Sequence, residues 1–305
     1  MTTTRHSGVG LVLGGALSVQ FGSSVAALLF PRAGVSTVVT LRLAIAAIVL
    51  LVVCRPRVRG YARADWAAIA GFGVALAGMN TLFYHAIDRI PLGLAVTLEV
   101  LGPLALSVST GRRAANWLWA ILALAGVALL GRTGFDRLDP AGIGFALGAG
   151  AMWAAYIVLS ARVGARFPKL DGLALAMTVA AALTLPLGIG PTLLQPPVLA
   201  LGAAVAVLSS LLPYTLELTA LRRMPTATFA VLMSLGPAIA ALAGFLVLQQ
   251  HLTLTEGLAT VLIISASIGA VRTPREPAVA VGADAPGQDN RSAGCLLPAG
   301  PPARS

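Results

Sequence analysis

Three ionisable side chains, Arg42, Glu99 and Glu217, interrupt long apolar stretches of this chain. At bilayer depth a charge costs on the order of 2.5–3.5 kcal/mol on insertion scales, so each needs a partner or a task. A guanidinium can grip a carboxylate through two parallel N–H donors. A glutamate can hold an ammonium group or exchange a proton; burial penalises its charged form and a neighbouring guanidinium favours it. Arg42 and Glu99 lie at similar depths in their stretches, which suits a zwitterion held between them and equally suits a structural ion pair. Glu217 stands near the end of its stretch, where it can bind substrate or simply meet Arg222 or Arg223 at the interface. Gln20, Asn80, Tyr156 and Tyr214 add neutral hydrogen-bonding groups, for a ligand or for a neighbouring helix.

The elements that must position these groups are membrane helices. The chain has 305 residues, 57% of them hydrophobic and only 10% charged, with a mean hydropathy of +0.88. A soluble chain carries about 25% charged residues. With so few, this one cannot cover itself for water and must face lipid. A bilayer core needs about 20 apolar residues per helix, and ten such runs occur, near 8–30, 36–54, 66–87, 91–109, 115–131, 140–160, 172–190, 198–218, 226–248 and 255–271. Continuous runs lack the alternation of barrel strands. Arg5 and Ser24-Val25-Ala26 could mark a cleaved signal peptide, but the first run also belongs to the repeat described below.

The net charge of +10 points away from nucleic acid, because the arginines stand singly or in short groups between apolar runs. Fourteen basic residues flank one side of the runs, Arg5, Arg55, Arg112 and Arg162 among them, against four on the other, Arg32, Arg89, Arg132 and Arg137. Positive charge stays inside, so both termini are expected in the cytoplasm. Arginine in place of lysine, with Lys169 the sole lysine, suggests a bacterial plasma membrane. Cys54 and Cys295, with His6, His85 and His251, are too scattered for a metal site, and no phosphate-binding loop is present; no cofactor is expected. A membrane-embedded enzyme would need a nucleophile or metal cluster at depth. A non-transporting sensor would ordinarily carry a soluble domain.

A shift of 134 residues brings the two halves into register: Gly8, Gly10, Leu13 and Gly14 meet Gly142, Gly144, Leu147 and Gly148. The same shift superposes Leu101-Gly102-Pro103 on Leu235-Gly236-Pro237, and Asn80 on Tyr214. The expected fold is therefore an all-α membrane protein of ten transmembrane helices in two inverted five-helix repeats. Its parts would be an N-terminus over 1–7, repeats over 8–134 and 135–272, and a proline-rich disordered tail over 273–305. Five is odd, so the second copy enters the membrane upside down, an arrangement typical of secondary transporters with a midplane site. Gly102, Pro103, Gly236 and Pro237 mark matched helix breaks, as gates or as static kinks, because proline frees the carbonyl four residues earlier.

The stretch D-R-I-P-L-G-L-A-V-T-L-E-V-L-G-P-L from Asp88 to Leu104 resembles the EamA-type drug/metabolite transporters, in particular the threonine/homoserine exporter subgroup. So do L-P-Y-T-L-E-L-T-A-L-R-R-M-P-T-A-T-F from Leu212 to Phe229, M-S-L-G-P-A-I-A-A-L-A-G-F from Met233 to Phe245, and W-A-A-Y-I from Trp153 to Ile157. The resemblance runs from Gly8 to about Arg272. It implies export of a small metabolite, with a threonine- or homoserine-like amino acid favoured and drug-like solutes as the alternative. It also implies a cavity lined by spans one to four and six to nine, with Arg42, Glu99 and Glu217 at the pattern's polar positions. Protons are a candidate coupling ion and a homodimer a candidate assembly. The chain departs from the pattern at Gly236, where the family usually carries a glutamate, and at Gln249-Gln250, where it usually carries a Gly-Glu pair, which bears on proton coupling.

Overall fold

The computed structural model describes residues 2–56, 58–110, 114–132, 139–167, 170–221 and 232–272. The segment 273–305, expected to lack fixed structure, lies outside the described residues. Within them the regular structure is helical: α1 (Thr2–Ala33), α2 (Val35–Cys54), α3 (Arg63–Ile87), α4 (Leu92–Glu99), α5 (Leu101–Thr110) and α6 (Ala114–Arg132). There follow α7 (Pro140–Arg166), α8 (Asp171–Gly188), α9 (Pro196–Ala206), a π-helical turn over Val207–Leu211, α10 (Leu212–Leu221), α11 (Gly236–Leu248) and α12 (Leu254–Arg272). Among the described residues, six helical segments are long and apolar enough to cross a membrane, one of them α4 and α5 taken together; four shorter apolar helices accompany them. Large side chains such as Val53, Trp117, Leu124 and Ile189 stand exposed on the outside, as a lipid-facing surface requires.

Local chemistry sets the ends. Gly34, at φ 79°, turns the chain between α1 and α2. Asp65 accepts the Ala62 N–H at 3.0 Å where α3 begins. Asp139 accepts the Ala141 N–H at 2.9 Å ahead of Pro140, a residue suited to the first helical position. Thr253 and Glu256 exchange bonds to each other's backbone N–H at the head of α12, a capping box.

The main packing crosses between the halves of the chain. α3 lies along α7, α1 along α9, the π turn and α10, α2 along α8, α4 along α11, and α6 along α12. Small residues and threonines make these seams tight. Thr40 donates to the Thr184 carbonyl at 2.8 Å and Thr37 to the Gly188 carbonyl at 3.2 Å, joining α2 to α8. Without hydrophobic drive between helices in lipid, such close approach and hydrogen bonding carry the association.

The two Leu-Gly-Pro sequences interrupt their helices differently. In the first half the break is Val100 alone, between α4 and α5; in the second, Ser234 and Leu235 form a turn before α11. A Cβ on Gly102 would run into the Gly150 carbonyl of α7, and one on Gly150 would lie 2.5 Å from the Glu99 carbonyl. Backbone meets backbone there, so neither side can yield. At Gly236 an added Cβ would meet only Val96 and Gln20, at 3.9 and 4.0 Å. We therefore expect Gly102→Ala to destabilise the detergent-purified protein by about 1–3 kcal/mol or more. Gly236→Ala should stay within about 0.5 kcal/mol of wild type. Thermal unfolding of the two variants side by side checks this.

Candidate functional site

A cavity of about 460 Å³ lies among the helices, a size that suits a small metabolite. α1 lines it with Ala16, Val19, Gln20 and Ser23, α2 with Arg42, and α3 with Met79, Asn80 and Phe83. α4 and α5 contribute Val96, Glu99, Pro103, Leu104 and Ser107, and α7 contributes Trp153, Tyr156 and Ile157. Ser209 of the π turn, Pro213, Met233, Ser234, Gly236, Ser267 and Ala270 complete most of the wall. The expected set of lining helices needs adjustment. None of these residues comes from α8, which is held behind α2 by Thr37 and Thr40, whereas α12 does reach the cavity.

Arg42 is buried and its guanidinium is held at three points. Nη1 donates to the Tyr84 hydroxyl at 2.9 Å, Nη2 to the Ser209 carbonyl at 2.9 Å and Nε to the Ser210 hydroxyl at 3.2 Å. It also lies 5.3 Å from the centre of the Tyr84 ring, and Tyr84 packs on Phe30 with ring centres 5.7 Å apart. The Ser209 carbonyl is available for a local reason. Four residues on stands Pro213, which has no N–H to offer it. Three of the five guanidinium N–H donors are thus engaged, leaving two on a fixed and oriented cation.

Glu99 ends α4 and faces the same cavity. Among the described residues no ion pair joins it to Arg42, so the two ionisable groups line one cavity without direct contact between their charged ends. Asn80 donates to the Leu76 carbonyl at 2.8 Å on its own helix, and the Tyr156 ring packs on Phe72 at 5.2 Å. Of the helix-break residues, Pro103 and Gly236 line the cavity, while Gly102 is packed on α7 and Pro237 is buried in α11. The side chains of Tyr214 and Glu217 lie outside the described residues. Among the described residues three buried polar atoms lack a hydrogen-bond partner, Gln20 Oε1, Ser23 Oγ and Ser267 Oγ, and all three residues line this cavity.

Sequence reasoning missed Tyr84, Ser209 and Ser210, the groups that hold Arg42, and the cavity serines Ser23 and Ser267. Pro213 was a usable signal for Ser209, by the same rule that singled out Pro103 and Pro237. Tyr84 carried none, because a tyrosine near a helix end ordinarily reaches the interface. Gln250 also gains an explanation. Its Oε1 accepts the Leu92 N–H at 3.0 Å, so it caps the N-terminus of α4.

This helical fold around a polar-spotted cavity is that of a membrane transporter, and the chain belongs to the EamA-like transporter family, whose model matches residues 140–272. Among individual relatives, the threonine/homoserine exporter RhtA of Salmonella typhimurium (strain SL1344) is 41% identical over 268 residues, 86% of this chain and 90% of that protein. RhtA of Escherichia coli (strain K12) is 41% identical over 264 residues, 85% and 89% of the respective chains. A solved structure described only as "Crystal structure of protein" aligns with a TM-score of 0.54 at 19% identity, over 88% of this chain and 97% of its own. That likeness is one of fold. The chain is a multi-pass membrane transporter of the cell membrane, not an enzyme.

Removing one acceptor from a buried guanidinium costs about 1–3 kcal/mol. Tyr84→Phe should lower stability by that amount. Arg42→Lys should cost more, because one ammonium point cannot reach three diverging acceptors. Melting curves of the purified variants, with Tyr84→Phe combined with Arg42→Lys to test for non-additivity, measure the network.

Proposed function

We propose that the chain exports a small zwitterionic amino acid, threonine- or homoserine-like, from the cytoplasm by alternating access. The observation that carries this reading is Arg42 and Glu99 on the wall of one cavity of about 460 Å³ without an ion pair between them. A guanidinium and a carboxyl group that line one small chamber without pairing with each other match the carboxylate and ammonium of an amino acid. Arg42, oriented by Tyr84, Ser209 and Ser210, takes the carboxylate through its remaining N–H donors. Glu99 takes the amine or exchanges a proton. Similarity to exporters named for threonine and homoserine supports the same substrate class.

Alternating access follows from two inverted copies, residues 8–134 and 135–272, with both termini cytoplasmic. The packing supports this reading. Under the 134-residue correspondence the α3–α7 pairing has as its counterpart α1 against the α9–α10 segment, while α2–α8 and α6–α12 each map onto themselves. A twofold relation between the halves makes two mirror-like states, open to either side, comparable in energy. Glu99 is the one acid among the described lining residues, so it is the group through which a proton gradient would act. Glu217 remains a candidate at the cytoplasmic end. A second reading, export of a bulkier drug-like compound, draws on the apolar Phe83, Met79, Trp153 and Ile157 of the wall.

Efflux from proteoliposomes loaded with L-threonine, with and without an imposed pH gradient, tests the proposal. Wild type should release threonine faster under the gradient. Glu99→Gln should lose that acceleration and slow at least about tenfold, a rise of roughly 1.4 kcal/mol in the activation barrier. An unchanged rate and pH response would remove Glu99 from the mechanism, and preferential efflux of bulky amphiphiles would favour the second reading.

A further inference from the structure

We propose that Gln20 and Ser23 form the subsite that reads the side-chain hydroxyl of the transported amino acid, and so set its specificity. This deepens the amino-acid reading above and rests on it. The two residues are three apart on α1 and therefore share a face, and both line the cavity. Gln20 Oε1 and Ser23 Oγ are buried without a hydrogen-bond partner. Their neighbours on the same helix behave otherwise. Ser24 donates to the Gln20 carbonyl at 3.0 Å and Ser18 to the Leu208 carbonyl of the π turn. Among the described residues of α1 the lack of partners is thus confined to the two side chains at the cavity, with Ser267 of α12 the third such residue on its wall.

Gly236 has no side chain, and even a Cβ there would stand 4.0 Å from Gln20 Nε2. A buried acceptor without a donor is costly, and a ligand group that supplies one recovers that cost. The charged ends of the substrate are matched by Arg42 and Glu99. What remains for two neutral groups is a neutral group that both donates and accepts. A hydroxyl does this: it donates to Gln20 Oε1 and accepts from the Ser23 hydroxyl, which turns toward the cavity by rotation about one bond. A substrate with a hydrogen or methyl in that place would leave both groups unpaired, and sites of this kind reject such analogues strongly.

The test uses the full chain in proteoliposomes and three solutes: L-threonine, L-homoserine and L-2-aminobutyrate, which is either of the first two with its hydroxyl removed. Wild type should move threonine and homoserine at least about tenfold faster than 2-aminobutyrate. Ser23→Ala and Gln20→Met should each bring that ratio to within about twofold, with 2-aminobutyrate flux kept or raised. Because the ratio is read within each variant, the amount of folded protein cancels, and the two substitutions are read independently. Wild-type flux of 2-aminobutyrate equal to that of threonine would overturn this subsite while leaving amino-acid export standing. Variants that slow all three solutes equally would overturn it too. Absence of flux for all three in wild type would sink the amino-acid reading and this inference with it.

Discussion

A buried guanidinium must find most of its acceptors inside the protein, and in this molecule the arrangement around Arg42 governs the cavity. Bringing Arg42 into the interior is tolerable because the Tyr84 phenol, the Ser210 hydroxyl and the Ser209 carbonyl meet it. These groups come from α3 and from the π turn between α9 and α10, while Arg42 itself stands on α2. One charge therefore pins three elements to a common point. Burying such a group is costly unless geometry and pairing are good, and lipid sharpens the rule, since no water reaches the hydrocarbon to repair a missing bond. The wall of the cavity is where this requirement is met.

Proline and glycine supply the means. Each proline within a span withholds one N–H, and the carbonyl left over goes to a different use. Pro213 leaves the Ser209 carbonyl to Arg42. Pro103 leaves the Glu99 carbonyl, which lies against Gly150 of α7 where only a glycine fits. The glycines of the two Leu-Gly-Pro sequences differ accordingly, Gly102 wedged against backbone and Gly236 lining the chamber. The same three-residue motif thus serves packing in one half and lines the cavity in the other.

The departures from the family pattern are of two physical kinds. Gln250 is a helix cap: its amide oxygen receives the Leu92 N–H, a task that needs an acceptor and not a charge. Gly236 faces the chamber, so its lack of a side chain alters what the substrate meets. A pattern of acids and amides along a membrane helix does not distinguish these cases. The difference lies in which way the helix is turned.

The chain alone determined that this is a helical membrane protein, where its apolar segments fall, which residues break them, and that Arg42 and Glu99 are the charges at depth. These features follow from local quantities, namely the transfer cost of a side chain, the length needed to span a bilayer, and the missing N–H of proline. Repeated spacing at 134 residues also linked positions far apart in sequence. Tertiary structure alone decided the partners. Arg42 and Glu99 were legible as a candidate ion pair, yet the guanidinium turned to Tyr84 and to residues 167 and 168 positions away in sequence. That α12 reaches the cavity in place of α8, and that Gln20 and Ser23 stand unpartnered while Ser18 and Ser24 do not, also required the assembled bundle. The reason is that hydrogen-bond satisfaction in a dry interior belongs to the packed set of helices, and a helix read singly does not contain it.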